Sequence, residues 1–382
     1  MPSRSRSETT DTLSATVVSG LAAWRGNPVV TTIYLDVDGR RLPRRSDLKA
    51  HVDLLFRVAR DQAARLGPPV VAAVEGDLDH VERWLADMDR TALRGVALFS
   101  CGQDALFRVV GLSTPVRDQV AVAPTPALAQ LCEALDRGAR ALVALVDRRE
   151  LRLVRLEQGR VDEHAGLVDE PPRQVDTDVE LGSFGRLHEE EARRHLRRSA
   201  DAVSDELARW PAERIVLGGP VEAVSWLEEA LAPSVSALAV GRITLPMRCA
   251  PAEVALAAWK VIEVFDEQRR SALVEDLRQR AERGVGGAAG LPATLDALGA
   301  RRVETLLVAR GFAAPGRRCP RCEWLVQDAG ATPCPGCGTA TDVLDDVVEA
   351  AIGAAVGQDA DVEVCDGAEI EALGNIGAVE RF

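Results

Sequence analysis

Four cysteines constrain this chain more than any other feature. Cys319-Pro-Arg-Cys322 and Cys334-Pro-Gly-Cys337 form a Cys-x2-Cys-x11-Cys-x2-Cys pattern. Each Cys-x-x-Cys turn presents two thiolates to one ion, and two such turns complete a tetrahedron. Residues 315–341 therefore read as a small ribbon inserted in a larger domain. A module of about 25 residues cannot bury a core alone, so the ion supplies its folding energy. Four thiolates leave no open coordination position, which makes Zn2+ a structural rather than catalytic expectation. A redox dithiol and a four-thiolate iron site are the competing readings. Gly338 adds backbone freedom behind the second turn. Cys101, Cys132, Cys249 and Cys365 lie in or beside apolar runs and read as buried free thiols. Such cysteine usage suits a reducing cytoplasm.

Around the cysteines, β-branched runs alternate with helical apolar stripes, the pattern of an α/β protein. With 382 residues, two or three domains are expected. Residues 1–13 read as a disordered tail. Residues 14–122 form an N-terminal α/β domain: a strand over Val29–Val37, a helix from an N-cap at Ser46 to about Ala64, a helix from about Leu78 to Asp89, and strands Gly95–Ser100 and Ala105–Val110 around a turn at Gly102-Gln103-Asp104. Ala123-Pro124-Thr125-Pro126 reads as a linker. Residues 123–250 form a middle α/β domain with strands at 141–147, 151–156, 215–218 and 237–243. Residues 251–382 form a C-terminal α/β domain, with a long helix over 253–283, a strand over 303–308, a helix over 343–356 and the ribbon as an insert.

The middle domain carries a loop expected over 162–183. Pro171, Pro172 and Gly182 break it, and no apolar period runs through it. A loop of that length inside a compact domain is often functional. After it, Ala192, Leu196, Ala200, Val203 and Leu207 make a helical stripe. Arg186, Arg193, Arg194, Arg197 and Arg198 lie off that stripe and are candidate contacts to RNA phosphates. Glu189 with Arg193 and Glu190 with Arg194 are favourably oriented i,i+4 pairs, so a plain solvated helix face is the alternative. Arg40, Arg41, Arg44 and Arg45 form a second basic cluster, with a phosphate contact and a soluble loop as equal readings. Asp36, Asp38 and Asp147 end strands, where a two-metal nuclease would place ligands and where turn residues are also common. Gly218-Gly219-Pro220 reads as a plain turn ahead of an anion seat.

A net charge of −13 argues against an indiscriminate nucleic-acid coat but permits a local basic patch. Tyr34 is the single tyrosine, so stacking on bases is not a general theme. No run approaches the roughly 20 apolar residues of a membrane span. Met1–Thr12 lacks the apolar stretch of a signal peptide.

The order of parts resembles the archaeal and eukaryotic class-1 peptide-chain release factor family, which includes Pelota and its bacterial, Balon-like relatives. The local matches are Arg94-Gly-Val-Ala-Leu-Phe99, Leu145-Val-Asp147, Phe184-Gly-Arg-Leu-His-Glu-Glu-Glu-Ala192, Ile215-Val-Leu-Gly-Gly-Pro220, Val303-Glu-Thr-Leu-Leu307 and Gly377-Ala-Val-Glu-Arg-Phe382. They run in the family's order over nearly the whole chain. The resemblance implies a ribonuclease-H-like middle domain and a C-terminal domain like the kink-turn-binding ribosomal proteins. It also implies a ribosomal partner at the aminoacyl site, with ribosomal RNA as ligand, neither DNA nor a membrane, and delivery by an elongation-factor GTPase left open.

Two departures bear on activity. Family release factors carry Gly-Gly-Gln at the loop tip, where missing β carbons let the backbone approach the ester and the glutamine amide places water. Alignment on Phe184 puts Thr177-Asp178-Val179 there, and Gly-Gly-Gln occurs nowhere in the chain. The stop-codon-reading Asn-Ile-Lys-Ser is also missing. Asp169, Glu170, Asp176, Asp178 and Glu180 make the loop acidic, which an RNA pocket would repel. The departures point to a non-hydrolytic ribosome-associated factor, and the resemblance to bacterial relatives that lack Gly-Gly-Gln implies a role in hibernation or stress response. A rescue factor using Gln174, and a metal-dependent nuclease or adaptor, are the alternatives.

Overall fold

Six consecutive apolar residues, Ala141–Val146, form a strand buried at every position. Its side chains point alternately to two faces. Leu142, Ala144 and Val146 pack with Leu196, Ala200 and Val203 of the helix Leu181–Arg209 and with Val224 and Leu227 of Val221–Ala230. Ala141, Val143 and Leu145 pack instead with Val254, Ala258 and Ile262 of Pro251–Arg283. A strand covered on both sides reads as an unbroken apolar run. The chain is seen here in a computed structural model over residues 10–25, 29–90, 93–168, 181–327 and 333–381, without the side chains of 165 and 181–188. It divides into two units, Gly138–Arg269 and Met1–Arg137 with Arg270–Phe382.

In the Gly138–Arg269 unit the sheet order is Ala239–Ile243, Arg214–Gly218, Ala141–Val146, Glu150–Glu157, Arg160–Val168. The first three strands are parallel and the last two join antiparallel. In chain order this is 5-4-1-2-3, a ribonuclease-H-like arrangement. One expectation needs correction. Residues 162–168, read as the start of the long loop, belong to the strand Arg160–Val168, which returns on Glu150–Glu157 through Gln158 and Gly159, both at positive φ. This edge strand leaves residues 162–164 and 166–168 exposed, so it carries no apolar alternation by which to recognise it. The helix begins at Leu181. Residues 169–180, Gln174 among them, lie outside the described residues.

In the other unit, the N-terminal sheet runs Asp11–Thr12, Leu106–Leu112, Gly95–Cys101, Val30–Asp36, Gln119–Ala123. One face packs Ile33, Leu35, Val96 and Leu98 under the helices Arg45–Leu66 and Pro68–Asp87. The buried Asp77 carboxylate of the second helix accepts bonds from Thr31 Oγ1, Ser100 Oγ and the Gly102 N–H, each at 2.8 Å, and so ties helix to sheet. The opposite face, with Tyr34, Phe99 and Val110, shares one core with Leu131 of Ala129–Arg137 and with Leu295, Leu306, Val348 and Ile352. Those last residues belong to a four-stranded sheet, Gly287–Ala289, Ile376–Glu380, Val303–Ala309, Asp361–Cys365, and its helices Leu291–Gly299 and Val347–Val356. The ribbon contributes three short strands, Gly316–Arg318, Leu325–Gln327 and Asp342–Leu344.

Several boundaries differ from those read in the sequence. The tail ends earlier: Asp11–Thr12 pairs with Leu106–Leu112, Asp11 bonds Arg108 at 2.7 Å, and Leu13 is buried. The first long helix starts at Arg45 without a side-chain cap, so Ser46 is inside it. The second starts at Pro68 rather than Leu78, because Pro at the first helical position loses no intrahelical bond. Gln119–Ala123 is a strand on Val30–Asp36 that runs into the proline-rich linker. Val343 lies in the ribbon's last strand, and the helix starts at Val347, where Asp346 Oδ1 accepts the Val348 N–H at 2.9 Å.

Glu349 joins the two parts of this unit. Its Oε2 accepts the backbone N–H of Leu128 at 2.7 Å and of Ala129 at 3.1 Å, taking donors from the start of Ala129–Arg137. Burial, then the Asp346 carboxylate, push Glu349 up to about 7, against the pull of those two bonds. A carboxyl raised above its unfolded value near 4.5 binds its proton more tightly in the folded state. Its contribution is full below about pH 4.5 and is lost as pH rises through about 7. Thermal unfolding followed from pH 4.5 to 7.5 is expected to show a falling midpoint for the wild type and a flatter profile for Glu349→Gln.

Candidate metal centre and basic helix

The Sγ atoms of Cys319, Cys322, Cys334 and Cys337 all lie within 4.8 Å of one another. Cys319 to Cys337 and Cys322 to Cys334 are each 3.4 Å. A tetrahedron with metal–sulfur bonds of about 2.3 Å needs sulfur–sulfur separations of about 3.8 Å. A disulfide needs about 2.0 Å, and all four cysteines are free. The four residues thus fit one metal ion.

The backbone repeats itself at the two turns. Cys319 N–H donates to the Trp324 carbonyl at 2.9 Å and Glu323 N–H to the Cys319 carbonyl at 3.0 Å. Cys334 N–H donates to the Thr339 carbonyl and Gly338 N–H to the Cys334 carbonyl, both at 2.8 Å. The fourth residue after each leading cysteine is left-handed, Glu323 at φ 63° and Gly338 at φ 72°. Glycine adopts this freely and glutamate does not. Glu323 is held there by charge: Arg25 Nε and Nη2 reach its carboxylate at 2.8 and 2.6 Å, and Arg318 Nη2 at 3.1 Å. The Arg25 bonds hold its carboxyl below the usual range.

Trp324 seats the ribbon. A β carbon on Gly299, at the end of Leu291–Gly299, would stand 2.6 Å from its ring, and one on Gly336 would stand 3.0 Å away. The indole therefore lies against two bare backbones, a contact that the cysteine pattern gives no sign of. Trp324, Arg25 and Glu323 are the supporting residues missed in the sequence; the one available signal was a tryptophan two residues beyond Cys322.

On the Leu181–Arg209 helix, Ala192, Leu196, Ala200 and Val203 are buried and Arg193, Arg194, Arg197 and Arg198 are exposed. Arg193 bonds Glu189 at 3.0 Å and lies 4.9 Å from the Trp226 ring centre, and Arg194 stands 3.9 Å from Glu190. Two of the candidate cations are therefore internally compensated. Arg197 has no ion pair among the described residues. The Arg186 side chain lies outside them.

The strand-end aspartates hold turns. Asp36 Oδ1 accepts the Asp38 N–H at 2.9 Å and its other oxygen pairs Arg41 at 2.8 Å, while Asp38 Oδ1 accepts the Arg40 N–H at 2.9 Å. Asp147, in the other unit, accepts the N–H groups of Arg149 and Glu150 at 2.7 Å. Among the described residues only the four cysteines form a group of three or more able to hold a metal, and the three aspartates are not part of one. At Gly219, φ is +130° and a β carbon would meet the Val146 carbonyl oxygen at 2.0 Å, which makes Gly218-Gly219-Pro220 a packed turn. His195 is buried with Nε2 3.3 Å from Ser199 Oγ.

Two outcomes follow. Metal analysis of the purified chain is expected to give one ion per molecule, and Cys334→Ser is expected to abolish it. Gly299→Ala is expected to lower stability by about 1–3 kcal/mol through overpacking against the indole, read by thermal unfolding and by a shift in tryptophan emission.

Residues 126–263 match the model of bacterial archaeo-eukaryotic release factor family 10. None of the curated proteins matches this chain. Among solved structures, similar ones include the archaeal translation termination factor aRF1, at 15% identity over 97% of this chain and 99% of that chain with a TM-score of 0.28. Ribosome-bound archaeal Pelota, solved with ABCE1, has 16% identity over 75% and 77% with a TM-score of 0.41. Dom34 of S. cerevisiae, a translation termination-like factor interacting with Hbs1, has 8% identity over 75% and 79% with a TM-score of 0.41. No helix among the described residues is long and apolar enough to cross a membrane. Similarity to the bacterial archaeo-eukaryotic release factor family is thus carried by residues 126–263, about a third of the chain.

Proposed function

We propose that this protein is a non-hydrolytic ribosome-binding factor that occupies the aminoacyl site during hibernation or stress. The observation that carries the reading is a mismatch: the release-factor family model covers residues 126–263, yet the catalytic Gly-Gly-Gln of release factors occurs nowhere in the sequence. A chain of this family without the glutamine amide has no group of that kind to place water on the peptidyl-tRNA ester. What it retains is an arginine-bearing helix on a rigid sheet, with Arg197 and Arg198 exposed, suited to ribosomal RNA phosphates. Three domains, 14–122, 123–250 and 251–382, would divide the contacts, and a translational GTPase would serve delivery. We infer Zn2+ as the ribbon's ion from the four-thiolate donor set; its chemistry there is structural, holding two turns together.

The test uses ribosomes from stationary-phase cells. The wild-type protein is expected to co-sediment with them, and Arg197→Glu with Arg198→Glu to weaken binding about tenfold or more with a shallower salt dependence. A protein wholly in the soluble fraction would overturn the reading. In a peptidyl-tRNA release assay the wild type is expected to be inactive. Release that disappears in Gln174→Ala would instead make it a hydrolytic rescue factor, since Gln174 is the single glutamine between residues 162 and 183.

A further inference from the structure

Beside the four sulfurs stands a positive charge that neighbouring carboxylates do not balance. Arg318 immediately precedes Cys319, and it lines the same cavity as Cys322. Its side chain is only 16% exposed, and its Nη1 is buried without a hydrogen-bond partner. Arginine is rarely buried unless paired, because taking a charge out of water is costly. The carboxylate in reach is Glu323, 3.1 Å from Nη2. Arg25 already holds that carboxylate more closely, through Nε at 2.8 Å and Nη2 at 2.6 Å. Two guanidinium groups thus share one carboxylate, and one positive charge is left over. The other charges nearby do not settle it. Asp342, opposite Arg318 in the ladder, is exposed and forms no ion pair among the described residues. Arg301 and Arg321 are exposed, and Arg317 is bonded to Thr341 Oγ1 at 2.7 Å. Exposed charges are screened by water and count for little.

Four thiolates around a dication leave two negative charges, and two of the four sulfur-bearing residues, Cys319 and Cys334, are buried. A buried anionic centre needs a counter-charge close by. Groups just beyond the ligands commonly change metal affinity tenfold or more. We propose that Arg318 is the counter-charge of the metal centre: its guanidinium offsets the metal-bound thiolates and so tightens metal binding. The loaded centre and the arginine then compensate each other, which accounts for a guanidinium left half without a carboxylate. The same arginine also helps hold Glu323 in its left-handed turn, so the two roles have to be separated. The inference rests on the metal reading of the four cysteines and is independent of ribosome binding.

Competition of the full chain with a chromogenic chelator for Zn2+ separates them. Arg318→Met is expected to weaken Zn2+ binding about tenfold or more, and Arg318→Lys, which keeps the charge, to recover most of the loss. Glu323→Gly removes the carboxylate and gives the turn the residue that stands at Gly338 in the other one; it is expected to keep wild-type affinity. Arg318→Met added to Glu323→Gly is expected to cost as much as it does alone. With Co2+ in place of Zn2+, loss of the arginine is expected to move the thiolate-to-cobalt charge-transfer band to longer wavelength in both backgrounds, because a nearby positive charge holds the sulfur electrons more tightly. Circular dichroism at saturating metal is expected to match the wild type throughout. A wild-type chain that binds no Zn2+ would remove the metal centre and the proposal with it. Zn2+ binding in the wild type with no loss in Arg318→Met, or a loss that vanishes once residue 323 is glycine, would leave the metal centre standing and overturn the role of Arg318.

Discussion

The core shared by the first and last parts of the chain is the interaction on which the rest of the larger unit depends. Tyr34, Phe99 and Val110 from the N-terminal sheet meet Leu295, Val348 and Ile352 from the C-terminal one in a single apolar cluster. Polar ties surround it. Glu349 takes the first N–H groups of Ala129–Arg137, and Arg310 pairs both Glu133 of that helix and Asp366. The ribbon is tied to the same core, through Trp324 on Gly299 and through Arg25 on Glu323. Without that support, three short strands and four sulfurs would have little but the ion to hold them.

Much of this was legible in the sequence wherever one physical demand dominated. Ala141–Val146 is apolar throughout because both its faces are covered. The cysteine spacing follows from tetrahedral coordination, and the sulfurs do converge. The helix stripe from Ala192 to Val203 follows from one buried face. The sequence was silent where the deciding partner was distant or was water. Arg160–Val168 is an exposed edge, so nothing in its composition marks it as a strand. Gln119–Ala123 borrows its pairing from Val30–Asp36 far upstream. Trp324 and Glu323 matter through Gly299 and Arg25, contacts that no local pattern encodes.

The candidate RNA contacts divide in the same way. Glu189 and Glu190 already occupy Arg193 and Arg194, whereas Arg197 has no ion pair among the described residues. The strand-end aspartates accept N–H groups of their own turns. What remains among the described residues is a scaffold rich in structural polar contacts.

Cryo-electron microscopy of ribosomes isolated with the tagged protein from stationary-phase cells tests this account most directly. It predicts the chain in the aminoacyl site, its Leu181–Arg209 helix against ribosomal RNA and any peptidyl-tRNA beside it intact. Ribosomes that lack the protein, or that hold it with the peptidyl-tRNA ester cleaved, would contradict it.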